Sequence, residues 1–219
     1  MDGQTQQAAD WWARPRGDAS ATWIANYQQS LKSRHRDRIA EIVGELQPET
    51  LLEVGCHCGP NLVRLAQEQP TLQMIGIDAN TEAIQSGRSW VAQLGLADRI
   101  QLNVGRFPDQ TSLLPDGGFD VVLSCYACAY IAPTDLDAAL YELGRLARRA
   151  VILAEPMGER LDWRGALTGY SEWAHNYQTA TRWLNTWRGM ASRIVAVDPP
   201  VDRLAQILVA ARESEPRPN

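Results

Sequence analysis

Leu51–Asn61 (LLEVGCHCGPN) is the stretch on which the fold turns. Its first four residues are a short buried-strand pattern, and Asn61–Gln69 beyond it carries helical periodicity. Gly55 and Gly59 sit in the connection, where glycine permits unusual backbone angles and lets a ligand approach the main chain. Nineteen residues after Gly59, Asp78 closes a second apolar run, Ile75–Asn80 (IGIDAN). In a doubly wound sheet the ends of two such strands lie side by side, at the edge where ligands bind. An acidic side chain at the second end can accept hydrogen bonds from both hydroxyls of a ribose. The pair therefore describes a site for an adenosine-containing cofactor.

Outward from this loop, strand and helix patterns alternate. Strands are expected at Thr50–Val54, Leu72–Ile77, Ile100–Val104, Phe119–Ser124 and Ala150–Ala154. Between them, helices are expected at Asn61–Gln69, Thr81–Leu94 and Thr134–Arg148, the last with a capping-box-like start from Thr134 to Asp137. Continuous apolar strands separated by helices of this length mark a mostly parallel sheet covered on both faces. Before the alternation, Trp11–Arg16 (WWARPR) opens a segment that is helical over Ala19–Leu46, with Arg34–Leu46 as its second part and Pro48 as its stop. After it come a loop-rich insertion at Met157–Tyr170, a helix at Ser171–Trp187, a strand at Arg193–Val197 and a final strand at Gln206–Ala210. The expected organisation is a helical extension or lid over residues 1–47 and one compact cofactor-binding domain over 48–219.

The loop also discriminates among cofactors. A dinucleotide fingerprint needs G-x-G-x-x-G, and counting from Gly55 this chain has His57 and Pro60 where the later glycines belong. No G-x-x-x-x-G-K-[ST] is present, so a P-loop is excluded. Glu-x-Gly-x-x-x-Gly-x-Asn after a strand, with an acidic residue closing the next strand, resembles the class I (Rossmann-like) S-adenosylmethionine-dependent methyltransferases. The resemblance covers roughly Glu49–Pro156, with Phe119–Cys125 (FDVVLSC) as the fourth strand. It implies an α/β fold with a seven-stranded, doubly wound sheet and S-adenosyl-L-methionine as cofactor. It also implies that Gly55, Cys56, His57 and Gly59 surround the methionine part, that Asp78 holds the ribose, and that Gly105, Arg106 and Phe107 flank the adenine. Glu53, Asn61, Ala79 and Cys125 complete the implied cofactor set. The chain departs from the family pattern at three places. His57 replaces the usual middle glycine, Arg106 stands where an acidic residue often meets the adenine, and Ser124-Cys125-Tyr126 lacks the Asp or Asn many members carry.

The whole chain bounds the rest. At 219 residues it is long enough for one full domain with a sizeable core. The net charge of −5 argues against general nucleic-acid binding, which usually shows a basic face. Lys32 is the only lysine; the basic run Arg34–Arg38 is short and interrupted by Asp37, so it is not read as a nucleic-acid site, and His35 within it is expected to be solvated. No stretch approaches the roughly 18 apolar residues of a membrane span, and the polar N-terminus shows no secretory signal. A cytoplasmic enzyme is expected, with no membrane and no nucleic-acid partner.

Four cysteines cluster around the expected strand ends: Cys56, Cys58, Cys125 and Cys128. A C-x-C spacing suits a closed zinc site poorly. Reactive thiols are the second reading, and small apolar residues in tight turns the first, so no metal is expected. For the acceptor, Trp11, Trp12, Trp23 and Tyr27 before the core, Tyr130 after the fourth strand and Trp173 in the C-terminal part are the candidates. Such rings suit planar or hydrophobic molecules. His175 is the candidate base, since imidazole titrates near neutral pH. The reading is methyl transfer to a small molecule on O, N or C. The alternative is a non-catalytic S-adenosylmethionine-binding regulator or partner.

Overall fold

A computed structural model of the chain describes residues 3–15, 17–156, 162–163, 173–174, 190–196 and 206–212. The alternation read from the sequence appears as strands β1 (Thr50–Val54), β2 (Gln73–Asp78), β3 (Ile100–Val104), β4 (Phe119–Cys125) and β5 (Ala147–Glu155). Helices α4 (Pro60–Glu68), α5 (Thr81–Gln93) and α6 (Pro133–Leu146) provide the crossovers. After β5 come two-residue strands β6 (Asp162–Trp163) and β7 (Trp173–Ala174), then β8 (Met190–Ala196) and β9 (Gln206–Arg212).

Among the described residues the main sheet has seven strands, in the order β3-β2-β1-β4-β5-β9-β8. The first five run parallel, and β9 is antiparallel to both β5 and β8. Strand order reverses between β1 and β4, so the carboxyl ends of these strands form the crevice in which an open α/β sheet binds its ligand.

Each face of the sheet has its own core. On one side Leu51, Val121, Leu123 and Ile152 pack under Leu62 and Leu65 of α4, Ile84 of α5, and Ile42 and Val43 of an earlier helix, α3 (Arg34–Leu46). On the other, Leu52, Val122, Val151 and Leu153 pack under Leu140, Leu143 and Leu146 of α6. Adjacent residues along each strand belong to opposite cores, as the period of two requires.

Three helices precede β1: α1 (Gly3–Ala13), α2 (Asp18–Gln29) and α3, with a 3₁₀ turn at Ser30–Lys32. The sequence reading placed helix only from Ala19 onward, so α1 is an addition. Gln47 ends α3 in the left-handed region (φ 46°), and Pro48 follows. Three further expectations are corrected. No capping box forms at Thr134, because α6 starts at Pro133 with Ala132 at the N-cap; proline's fixed φ suits the first helical position. That helix ends at Leu146 rather than Arg148, and β5 takes up the chain from Ala147. The helix expected at Ser171–Trp187 does not begin as read: Trp173–Ala174 pairs antiparallel with Asp162–Trp163, setting Trp163 opposite Trp173. Aromatic residues favour strands at least as well as helices, which is why periodicity misled there. The remainder of that stretch lies outside the described residues.

At the sheet end remote from the crevice, Asp120 ties β4 to the start of β1. Its Oδ2 accepts the Glu49 and Thr50 amides (2.8 and 3.2 Å), and its Oδ1 accepts Arg148 Nε and Nη2 (3.0 and 2.7 Å). Burial alone would raise this carboxyl, but the guanidinium and the two amides outweigh it and hold it below the ordinary range. Asp120→Ala is expected to cost about 2–3 kcal/mol of unfolding free energy, as denaturant titration would measure. The wild-type contribution is full above about pH 4 and fades as pH falls through the lowered pKa.

Candidate cofactor and acceptor site

The turn out of β1 is built on left-handed backbone. Gly55 (φ 69°), His57 (φ 50°) and Gly59 (φ 82°) all have positive φ, so the non-glycine His57 occupies a conformation glycine usually takes. The turn is stitched to β2: the Gly55 amide donates to Ile77 O (2.8 Å) and the His57 amide to Asp78 Oδ2 (2.8 Å). Asp78 Oδ1 accepts the Asn80 amide (2.8 Å), and Asn80 caps α5 by accepting from Ala83 N (2.9 Å). Asp78 is thereby fixed in orientation, and burial holds its carboxyl above the usual range. Gly55 is required sterically as well: a Cβ there would lie 2.4 Å from Ala127 Cβ.

Glu53 and Arg36 form the second feature. Glu53 is 1% exposed, and its Oε1 accepts Asn61 Nδ2 at 2.5 Å. Asn61 Oδ1 accepts Arg36 Nη1 at 2.6 Å, so a neutral amide bridges a buried carboxylate and a buried guanidinium. Arg36 also donates to Ser30 O (3.1 Å) and Ser30 Oγ (2.9 Å), and lies 3.1 Å from His35 Nε2. Its acceptors among the described residues are all neutral. Burial pushes Glu53 up to about 7, while the Asn61 hydrogen bond and the Arg36 charge pull the other way. Glu53 Oε2 is buried with no hydrogen-bond partner among the described residues. Arg36, in the basic run Arg34–Arg38, is 5% exposed and turned inward onto Asn61. His35, expected to be solvated, is half-buried beside it.

These groups line one cavity of about 680 Å³ at the carboxyl ends of the strands. It collects most of the residues singled out in the sequence. Glu53, Gly55, Cys56, His57 and Asn61 line it from the β1 turn, Asp78 and Ala79 from β2, and Gly105, Arg106 and Phe107 from the loop after β3. Cys125 lines it from the end of β4. Gly59 does not line it, but starts α4 and positions Asn61. Arg106 pairs with Asp10 of α1 (2.7 Å), and its amide donates to Gln110 Oε1.

The aromatic wall comes from separate elements. Trp12 of α1, Trp23 and Tyr27 of α2, and Tyr130 after β4 line the cavity. Trp12 stacks at 5.6 Å on Trp23 and at 5.2 Å on Tyr130 (ring centroids). Trp11 packs behind, edge-on to Trp12 at 4.9 Å, and does not line the cavity. Tyr27 stacks on His57 at 4.3 Å, so α2 rests on the cofactor turn. His175 and the Trp173 side chain lie outside the described residues. Cys56, Cys58 and Cys128 are buried, and burial pushes all four thiols up, Cys58 and Cys125 to about 12. Buried protonated thiols of this kind act as small apolar side chains.

Sequence reasoning missed Arg36, Ser30, Thr5 and Glu155. No spacing signal links them to the loop, because they arrive through the fold. Thr5 Oγ1 accepts the Ala132 amide at 2.9 Å, tying α1 to the start of α6.

A parallel sheet with this strand order, a glycine turn after β1 and an acidic residue closing β2 together define a class I methyltransferase domain. Residues 51–150 match the family model described as "Methyltransferase domain", and this domain of the chain belongs to the S-adenosylmethionine-dependent methyltransferases. Catechol O-methyltransferase B of Danio rerio is 30% identical over 120 residues, 52% of this chain and 44% of that protein. The release factor glutamine methyltransferase of Rhodopirellula baltica is 26% identical over 125 residues, 57% of this chain and 41% of that protein. The chain spans under half the length of these two relatives. Among solved structures, magnesium protoporphyrin IX methyltransferase from Synechocystis PCC 6803, with bound S-adenosylmethionine, superimposes with a TM-score of 0.70 over 97% of this chain and 99% of that one, at 16% identity. An O-methyltransferase family protein from Burkholderia thailandensis reaches 0.64 over 87% and 59%, at 13% identity. No helix among the described residues is long and apolar enough to cross a membrane.

Gly55 carries the sharpest test of the turn. Gly55→Ala combines a positive φ with a 2.4 Å approach to Ala127. It is expected to weaken S-adenosylhomocysteine binding at least tenfold, about 1.4 kcal/mol, by isothermal titration.

Proposed function

We propose that this chain is an enzyme that binds S-adenosyl-L-methionine in the crevice at the carboxyl ends of the parallel strands and transfers its methyl group to a small, largely apolar acceptor held under the N-terminal helices. The observation that carries the cofactor half is the buried bridge Glu53–Asn61–Arg36. An α-amino acid presents an ammonium and a carboxylate on one carbon. Among the described residues, the cavity offers a carboxylate oxygen without a donor and, one amide away, a guanidinium whose hydrogen bonds go to neutral acceptors. Buried charges of this kind are costly until paired, so the methionine end of the cofactor fits both. Asp78, held by two amides, retains lone pairs for ribose hydroxyls. Gly105, Arg106 and Phe107, which line the cavity with Ala79, are the residues proposed for the adenine.

When bound, S-adenosylmethionine supplies an electrophilic methyl on a sulfonium. The chain's own part is then orientation and exclusion of water, which account for much of the rate when reacting atoms are brought to about 3–3.5 Å. Residues 1–47 form the proposed lid: α1 is tied to the core through Thr5 and Asp10, α2 through Tyr27, and α3 through Arg36. Trp12, Trp23 and Tyr130 present ring surface to the acceptor, which favours a planar molecule over a polar chain. Relatives named for action on a catechol, a fatty acid, a protein and a tRNA share the domain. The aromatic wall and the charge of −5 favour the small acceptors among these. His175 is the proposed base where an acceptor arrives protonated.

Two measurements test this reading. Below about pH 7 the Glu53 carboxyl of the free protein holds its proton, and an arriving ammonium favours the carboxylate. Cofactor affinity is therefore expected to fall as pH drops below 7, up to about tenfold per unit, with proton release detectable by calorimetry in buffers of different ionisation enthalpy. Glu53→Gln should flatten that profile. For the acceptor wall, Trp12→Ala is expected to leave S-adenosylhomocysteine affinity within about threefold and to raise the acceptor KM at least tenfold, about 1.4 kcal/mol. Binding and turnover across a panel of phenols, heteroaromatic amines and conjugated carboxylates would measure both. Turnover of tRNA or protein alone would overturn the small-molecule assignment.

A further inference from the structure

Glu155, the last residue of β5, is fully buried and has no place in the cofactor chemistry above. Its Oε1 accepts the Ser124 hydroxyl (2.7 Å) and the amides of Ala127 and Cys128 (both 3.1 Å). Its Oε2 accepts the amide of Ala129 (3.2 Å). Three consecutive main-chain amides thus converge on one carboxylate from a neighbouring strand. They belong to the turn after β4, where Tyr126 adopts φ 58° and Cys128–Tyr130 form a 3₁₀ turn without any side-chain cap of its own. Glu155 supplies that cap from across the sheet.

What this turn carries gives the carboxylate its consequence. Cys125, Tyr126, Ala127 and Tyr130 line the cavity. Ala127 abuts Gly55, so the turn also sets one side of the cofactor loop. Tyr130 stacks on Trp12 and so receives the N-terminal helices. One carboxylate therefore fixes a segment that meets the cofactor loop, the acceptor wall and the lid at once. Four donors need an acceptor-only group: an ionised carboxylate offers about four lone-pair sites, whereas an amide side chain would turn a donor towards at least one of them.

We propose that Glu155 is the positioning residue of this active site: its carboxylate holds the β4–α6 turn in the shape that presents Ala127 to the cofactor loop and Tyr130 to the acceptor wall. It touches neither cofactor nor acceptor and acts through the turn. Burial drives this carboxyl up to about 7, against the pull of the hydroxyl and the three amides, so the arrangement is maintained by these hydrogen bonds at an energetic disadvantage. A residue serving bulk stability alone would more readily be apolar here.

The test uses the full-length chain, with Glu155→Gln as an isosteric change and Ser124→Ala as a milder one that leaves all three amide contacts. Amide hydrogen exchange by mass spectrometry is read for peptides covering residues 125–131, and S-adenosylhomocysteine affinity by calorimetry. In Glu155→Gln, exchange in 125–131 should accelerate at least tenfold while peptides from β1, α4 and α6 stay at wild-type rates, and affinity should fall about fivefold or more. Ser124→Ala should shift both by less than twofold to threefold. A lower thermal midpoint in Glu155→Gln with unchanged local exchange and affinity would overturn the proposal and leave Glu155 a stability residue. Should Glu155→Gln fail to fold, the wild-type amides decide: Ala127, Cys128 and Ala129 must exchange as slowly as strand amides in the NMR spectrum, and loop-like rates there would equally overturn it. Because both readouts work without an acceptor, failure here is distinguishable from an incorrect acceptor class, which would leave them unchanged.

Discussion

A carboxylate buried at the end of a central strand constrains everything around it. Glu53 stands on β1, with strands on both sides, where solvent cannot reach it. An isolated ionised group in such a place is unfavourable by several kcal/mol or more. The structure answers with a neutral amide, Asn61, and beyond it a guanidinium, Arg36. Asn61 can reach Glu53 only if α4 starts immediately after the turn, which requires the left-handed backbone at Gly55, His57 and Gly59. Arg36 can reach Asn61 only if α3 packs on α4. The shape of the turn after β1 and the docking of α3 thus follow from one buried charge.

The same logic repeats at the neighbouring strand ends. Asp78 collects two amides and leaves lone pairs facing the cavity. Glu155 collects three amides and a hydroxyl and is saturated. Glu53 is between these extremes, with one oxygen bonded and one waiting. Three acids at the carboxyl ends of β1, β2 and β5 are therefore distinguishable by how much of their hydrogen-bonding capacity the protein itself consumes. In the proposed reading the saturated one organises structure, and the two unsaturated ones meet the ligand.

The fold was largely legible because its signals are local. Apolar runs, glycines at strand ends and the distance from Gly59 to Asp78 are all visible within short windows, and they gave the parallel strands, the crevice and the cofactor class. Parts that depend on chain-distant packing were not legible. Arg36 looks like one member of a short basic run until α3 is laid on α4. Glu155 ends an apolar strand with nothing nearby to suggest a cap for residues 127–129. The helix Gly3–Ala13 is too polar to announce itself, and it is held by Thr5 bonding to Ala132 across the whole domain. Trp173 was read as helical because aromatic spacing alone does not separate a helix from a short strand pair.

His57 is where the local reading and the tertiary reading meet. In a turn that favours glycine, a histidine costs backbone strain of about 1 kcal/mol or more. It also fills space that a bare backbone would leave open. Here the ring is 7% exposed and stacked on Tyr27 of α2. The strain is therefore compensated by contact with a helix lying outside the parallel core, and the cofactor turn and the overlying helices become mutually supporting. A glycine would relax the turn and release that helix, whereas the histidine links the two. The residue that departs most visibly from the family pattern is the one that connects the turn after β1 to α2.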